Sequence, residues 1–512
     1  MKMSKKGENS IVNSTLQLTF AVLFIKILGL TKKSIIAAVC GATAETDAFF
    51  IASEVIVALC TVFFSSISIS LLSMHTQRLL GEGRKASNNL INAVLRVFVP
   101  ISICISFAFV LFSENISKLL APSYEGIQLQ ELSNYIKIMA IMFVFSCYYL
   151  IINVVLETDK RFLPGKGQAF FQNLFVILAA FFFYPRMGIS ALLWAFVFAG
   201  LIQCVQITWN ARNIFRFQLK ISSEKNSIVK LVSLAGPLLV GNAIYEINDI
   251  VDKQISSGLG HGGVSVLSYG ASINEIVTSL IVTSLSTVLF SHYATWIAEG
   301  KTKQVGDNLK QSLEYLLVII MPIMIMCFVA GDTIVEILYG RGSFDAKAIT
   351  RTSGVVMGYA AGFFFQASRA TIVKVYYAFQ DTKTPMLNGA ISVCVNVMLS
   401  IVLSRFMGAA GIAFATSIAM FLVTALLFPK IYKLLPSFTL KSNAMDYVKI
   451  LFVSGIVWVT AFVIRHVLNT GVYLSFLIIG VYIVCAYTIL LMLFKVTCVK
   501  DMVSKIKTLM RR

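Results

Sequence analysis

Apolar stretches of about 20 residues, the length that crosses about 30 Å of hydrocarbon, recur from one end of the chain to the other. About fourteen satisfy this length rule, centred near Ala21, Leu59, Ile105, Phe143, Val176, Phe196, Leu238, Val282, Ile323, Gly362, Val397, Met420, Trp458 and Ile483. The polar interruptions are short. The largest, from Ser117 to Ser133, Phe215 to Asn226 and Gly340 to Arg351, are connectors too small to fold as domains. In hydrocarbon no water can satisfy backbone N–H and C=O groups, so runs of this length predict helices. The expected fold is an all-α polytopic membrane protein.

The punctuation also repeats. Pro100 opens an apolar run that ends at Glu114-Asn115-Ile116-Ser117-Lys118-Leu119-Leu120, and the next run closes on Asp159-Lys160-Arg161-Phe162-Leu163-Pro164. Pro322 opens a counterpart that ends at Asp332-Thr333-Ile334-Val335-Glu336-Ile337-Leu338, followed by a run closing on Asp381-Thr382-Lys383-Thr384-Pro385. The copies lie about 220 residues apart, far beyond a solenoid period, and duplicated membrane domains are typical of transporters. A second match supports the duplication: Lys33-Ser34-Ile35 through Glu54 has its counterpart in Lys253-Gln254-Ile255 through Glu275. Six spans per copy is an even number, so both copies enter the membrane in the same orientation. The layout expected is a six-helix lobe over 1–214, a parallel six-helix lobe over 227–435, an appended helix pair over 446–494 and a basic tail over 495–512.

Composition removes the soluble alternatives. Hydrophobic residues are 57%, charged residues 13% and mean hydropathy +0.82, values that would leave a water-soluble chain of this size with exposed apolar surface. Lysine and arginine number 43 against 24 acids, a net charge of +19, and the excess follows a pattern. Cations precede the first span (Lys2, Lys5, Lys6) and follow the second (Arg78, Arg84, Lys85), fourth (Lys160, Arg161, Lys166) and sixth (Arg212, Arg216, Lys220, Lys225). They recur after the eighth, tenth and twelfth spans and in the terminal run from Lys495 to Arg512. Positive-inside bias then places both termini in the cytoplasm and accounts for the basic tail without nucleic acid. The first apolar run is long and leads directly into further spans, so it reads as a signal anchor.

The nine cysteines sit mostly within apolar spans with no Cys-x-x-Cys pair, which is packing usage and implies no disulfide framework or metal site. The four histidines (His75, His261, His292, His466) are dispersed, and no phosphate-binding loop or paired carboxylate motif is present. Gly258-Leu259-Gly260-His261-Gly262-Gly263 reads as a flexible connection between spans seven and eight. No catalytic residue, ATPase or hydrolase signature is expected, and the short loops argue against a membrane glycosyltransferase.

Charges inside the spans cost at least about 2.5–3.5 kcal/mol each. Lys26 lies deep in span one, with Lys32 and Lys33 one to two turns later; Asp47 and Glu54 lie in span two. Glu246, Asp249, Asp252 and Lys253 end span seven, Glu275 interrupts span eight, and Arg369 and Lys374 sit in span ten. Any one of these fits a helix-end charge or an ion pair. Together they concentrate on the first two spans of each repeat, and buried intramembrane charges line wet cavities. Lys26, Lys32, Lys33 and Lys253 would attract an anion there, while Asp47, Glu54, Glu246 and Glu275 are candidates to pair with the lysines and exchange partners. A scaffold that only recruits other proteins and a cation-coupled drug exporter stay open, although the latter would want an acidic cavity.

At Leu28-Gly29 and Gly41-Ala42-Thr43-Ala44-Glu45-Thr46-Asp47-Ala48-Phe49-Phe50 the chain resembles the MurJ/MviN family of lipid-linked peptidoglycan precursor flippases, in the MOP superfamily. The likeness continues from Pro237 to Tyr269, from Leu338-Tyr339-Gly340-Arg341-Gly342-Ser343-Phe344 to Tyr377 through Pro385, and at Asn396 and Ala410-Gly411-Ile412-Ala413. The resemblance implies fourteen spans in the bacterial cytoplasmic membrane, acting as a monomer, and export of undecaprenyl-diphosphate-linked lipid II by alternating access. It implies a lipid-linked glycan and membrane lipids as partners, with envelope-synthesis enzymes as candidate partners. No cofactor is expected; a coupling cation, Na+ or H+, is a separate candidate, with Asn242, Asn388 and Asn396 as candidate positions for its site. The family's first-helix arginines fall on Lys26 and Lys32 and its aspartate on Asp47, so positive charge is kept without bidentate geometry. Its other charges fall on Cys60-Thr61, Ser65-Ser66 and Ser272, with Glu275 retained nearby; Arg369 and Lys374 are further cavity candidates. Those losses leave open a different polyprenyl-linked oligosaccharide, of capsule, exopolysaccharide or teichoic type.

Overall fold

A computed structural model describes residues 5–218, 224–279, 292–439, 444–468 and 470–499. Its elements are α1 (Lys5–Cys40), α2 (Ala44–Glu82), α3 (Arg84–Leu111), α4 (Ser113–Leu120), α5 (Gly126–Met139), α6 (Met142–Thr158), α7 (Gly167–Phe182) and α8 (Ser190–Ala211). They continue with α9 (Lys225–Ser257), α10 (Gly263–Thr278), α11 (Thr302–Tyr339), α12 (Ala346–Ala360), α13 (Phe363–Ala378), α14 (Lys383–Met407), α15 (Ala409–Leu434), α16 (Ala444–Val467) and α17 (Val472–Leu493). Among the described residues ten segments are long and apolar enough to cross a membrane, α5 and α6 counting as one. The other expected centres fall on α1, on α7, on α12–α13 and at Val282. Val282 lies outside the described residues, as do Lys2, Lys220, Lys441 and the tail beyond 499. The fold is an all-α polytopic membrane protein.

Two expected spans are broken in mid-course. α5 gives way to α6 at residues 140–141, and α12 to α13 at residues 361–362, where a Cβ on Gly362 would stand 2.5 Å from the Ser417 hydroxyl. The breaks are equivalent points of the repeat. The local geometry repeats further: Lys160 and Gln380 both adopt φ 61°, and Gly188 and Gly408 both adopt φ 59°, each pair 220 positions apart. In the first turn Arg161 N–H donates to the Leu156 carbonyl at 2.8 Å; in its counterpart Asp381 N–H donates to Tyr376 at 2.9 Å. A left-handed residue with a bond reaching back five positions is how such a helix end satisfies its last carbonyls.

The chain divides into two compact units, Met1–Ser265 with Gly342–Phe344, and Val266–Arg341 with Asp345–Arg512. In the first, α2 packs against α3, α5, α6 and α9, while α7 packs on α1 and α8. Although α9 heads the second repeat in chain order, polar contacts hold it to α2: Arg78 pairs with Glu224 at 2.8 Å, and Asn242 donates to the Ser66 hydroxyl at 3.2 Å. In the second unit α15 packs on α12, α13 and α14. The appended pair α16–α17 packs on α11 through Leu317, Val329, Ile450, Val453, Ile479 and Ile483.

Candidate functional site

At one end of the first unit three loops meet. Thr43 caps α2 by accepting from Thr46 N–H at 3.3 Å, and Glu45 and Asp47 in the first turn suit the positive end of the helix dipole. Asp47 is 1% exposed. Its carboxylate accepts from Gly262 N–H at 2.7 Å and Ser265 N–H at 2.6 Å, and from the Ser265 hydroxyl. Ser343 N–H donates to the Ala38 carbonyl at 2.8 Å, so the segments 38–47, 260–265 and 342–344 form one tied end. The loops after even-numbered spans gather separately, through Arg84 with Asp159 at 2.9 Å and Asn88 with the Ile214 carbonyl at 3.0 Å. This is the alternation that an odd–even order of spans requires.

One to three turns in from the tied end lies the charge cluster. Lys33 Nζ on α1 is 2.9 Å from Glu54 Oε1 on α2, and Lys253 Nζ on α9 is 3.1 Å from Glu54 Oε2. One carboxylate thus bridges two ammonium groups that occupy equivalent positions of the two repeats. The three side chains are 18%, 27% and 14% exposed for Lys33, Glu54 and Lys253, so the cluster is largely, but not wholly, closed off. Phe50, one turn before Glu54, places its ring 5.3 Å from Lys33 Nζ, a cation–π contact that holds the stem in place. Asp249 and Glu246, one and two turns earlier on α9, add negative charge on the side of Lys253.

The other expected site residues sit elsewhere. Lys26 lies two turns before Lys33, on the same face of α1 and exposed. Lys32 points toward α8, with Nζ 5.3 Å from the Phe196 ring. Asp47 is held at the tied end and is not part of the lysine cluster. Ser272, Glu275, Arg369 and Lys374 belong to the second unit. There Ser272 donates to its own helix at Ser268, Arg369 Nε donates to Asn388 Oδ1 at 3.2 Å, and Lys374 lies 5.9 Å from the Tyr377 ring. Asn388 and Asn396 bond within the second unit, to the Val423 carbonyl and the Thr416 hydroxyl. The sequence pattern missed Gly262 and Ser265, whose role is to donate backbone N–H; their position in a glycine-rich connection was the available signal. It also missed Arg465, a lone cation at the end of an apolar span.

Outside the spans, two carboxylates are held charged. Burial would raise Asp381, but hydrogen bonds from Lys430 Nζ (2.6 Å) and Thr384 N–H (3.1 Å) bring it down to about 2. Burial likewise opposes ionisation of Glu224, and the bonds from Arg78 and Ser227 override it and lower its pKa.

A solved structure titled as the lipid II flippase MurJ in an inward closed conformation superposes with TM-score 0.82 at 22% identity, covering 95% of this chain and all of that one. An inward-facing multidrug resistance MATE family transporter of the MOP superfamily matches with TM-score 0.70 at 10% identity, covering 82% of this chain and 98% of that one. The fold is that of a multi-pass, all-helical membrane protein. Among curated relatives, the probable lipid II flippase MurJ of Buchnera aphidicola subsp. Schizaphis graminum is 24% identical over 440 residues, 83% of this chain and 84% of the relative. That of Treponema pallidum is 22% identical over 442 residues, 82% of each. The family profile described as lipid II flippase MurJ matches residues 36–482, and the chain belongs to that family.

Proposed function

We propose that this protein carries undecaprenyl-diphosphate-linked lipid II from the inner to the outer leaflet by alternating access. The observation that carries the reading is the Lys33–Glu54–Lys253 cluster: two ammonium groups set in the spans of a family member, where a charge is retained only for a purpose. The diphosphate binds Lys33 and Lys253, with Lys26 and Lys32 adding positive potential along α1 and the acids, among them Glu246 and Glu275, exchanging partners during the cycle. Both termini lie in the cytoplasm, so the tied end faces outward. Two negative charges moving outward in an inside-negative potential gain about 2.3 kcal/mol per charge per 100 mV, so the membrane potential supplies a driving force to which a Na+ or H+ gradient would add. The protein acts as a monomer in the bacterial cytoplasmic membrane and hands its substrate to envelope-synthesis enzymes.

A second reading, another polyprenyl-linked oligosaccharide, is favoured by one observation. Cys60, Ser66 and Ser272, where the family pattern carries charge or its neighbour, are uncharged and no more than 7% exposed. Complementation of a strain depleted of its lipid II flippase, with outer-leaflet lipid II measured, tests the first reading. Growth rescue with normal outer-leaflet lipid II supports it; failure of both in cells that hold the protein at normal level overturns it, and export of a capsule or teichoic precursor would then establish the second.

A further inference from the structure

The bridging carboxylate has a consequence for selectivity. Glu54 presents one oxygen to each ammonium, at 2.9 and 3.1 Å, as a phosphate group would. An incoming anion must therefore take the place of a ligand that is already there. A phosphodiester with one negative charge exchanges one charge for one, gains no Coulomb energy at the two lysines, and still has to be stripped of water. A diphosphate brings one charge for each ammonium and leaves a net gain. Asp249 and Glu246 beside Lys253 oppose every anion that enters, the diphosphate more than the phosphodiester, and so narrow this difference and raise the threshold for both.

We propose that Glu54 is a resident stand-in for substrate phosphate and sets a charge threshold, rejecting singly charged phosphodiester lipids and admitting diphosphate-linked ones. The threshold is a case of selectivity by disfavouring the competitor. Ordinary phospholipids surround the protein in vast excess, and phosphodiester-linked glycans share the polyprenyl tail; one carboxylate discriminates against both. The inference rests on Lys33 and Lys253 being the anion site.

The test uses the full-length protein in nanodiscs and two probes, a farnesyl-diphosphate-linked N-acetylglucosamine and its farnesyl-phosphodiester counterpart. The wild type is expected to prefer the diphosphate by more than about tenfold. In Glu54→Gln both probes are freed of the same competitor, so each should bind about tenfold or more tightly, and phosphatidylglycerol added to the disc, without effect on the wild type, should now compete. Glu54→Asp, which keeps the charge, should bind the phosphodiester as weakly as the wild type does. A phosphodiester probe that binds Glu54→Gln no more tightly than it binds the wild type, or a wild type that does not discriminate, overturns the proposal. A Lys33→Gln, Lys253→Gln double variant that binds the diphosphate probe as the wild type does would instead overturn the anion site itself.

Discussion

Arg465 on α16 pairs with Asp332 on α11, and its other terminal nitrogen donates to the Val329 carbonyl. The neighbouring Ala330 has non-helical angles (φ −129°, ψ 28°), which interrupts α11 and leaves carbonyls without an intrahelical donor. One guanidinium thus mends a kink and fastens the appended pair. The side chains are 23% and 47% exposed, so the ionic part is screened. Arg465→Ala is expected to cost about 1–2 kcal/mol, mostly from the orphaned carbonyl. Arg465→Lys should recover less than half, because a single ammonium cannot reach both acceptors as the planar fork does. Thermal melting in one detergent, comparing the three proteins, checks the order.

Asp47 ties two backbone N–H groups and one hydroxyl of the 262–265 segment to the start of α2. Removing the carboxylate leaves those buried N–H groups with no acceptor, so Asp47→Ala should lose about 2–4 kcal/mol. Asp47→Asn keeps one acceptor oxygen and should lose about half as much. Equal losses in the two variants, measured by melting, would show that the hydrogen bonds do not carry the tie.

How far such ties can be read from sequence depends on what each requires. The spans were legible because a hydropathy run is local, and the repeat because Pro100 and Pro322, or Lys160 and Gln380, recur with their neighbours. Lys33 and Glu54 were legible as an unusual pair of charges. That Lys253 joins the same carboxylate was not, since this follows from α9 packing on α2 and no local pattern records it. Asp47 shows the limit most clearly. An acid in the first turn of a helix announces a capping role, yet its partners are N–H groups, which every residue but proline has. The break at 140–141 carried no signal at all, whereas its counterpart at 361–362 was marked by Gly362.

The pair Asp381–Lys430 gives a pH dependence of definite sign. The carboxyl is depressed from 3.8 to about 2, so its contribution is fully present above about pH 4 and is lost as pH falls through about 2. Lys430 is 48% exposed, so salt should reduce the effect. Stability followed from pH 5 to pH 2 should decline more steeply in the wild type than in Lys430→Met. If the two profiles run parallel, the pairing has no thermodynamic weight.

Two glycines at the tied end admit no side chain. Gly262 has φ 79° and Gly342 φ 58°, a region that costs other L-residues roughly 1–2 kcal/mol. A Cβ there would also strike the carbonyl of Ala42 in the first case and of Ala38 in the second. These are backbone atoms at the end of α1 and cannot swing away as a flexible side chain would. Gly262→Ala and Gly342→Ala should each therefore lose more than the conformational term alone, about 3 kcal/mol or more. Gly81, in the last turns of α2, has nothing within 4 Å of the place a methyl group would occupy, and Gly81→Ala should be neutral or stabilising by up to about 1 kcal/mol. Melting temperatures of the three variants separate close packing from a general intolerance of added methyl groups: only the first two should fall, and a comparable fall in Gly81→Ala would show that packing at the tied end is not the cause.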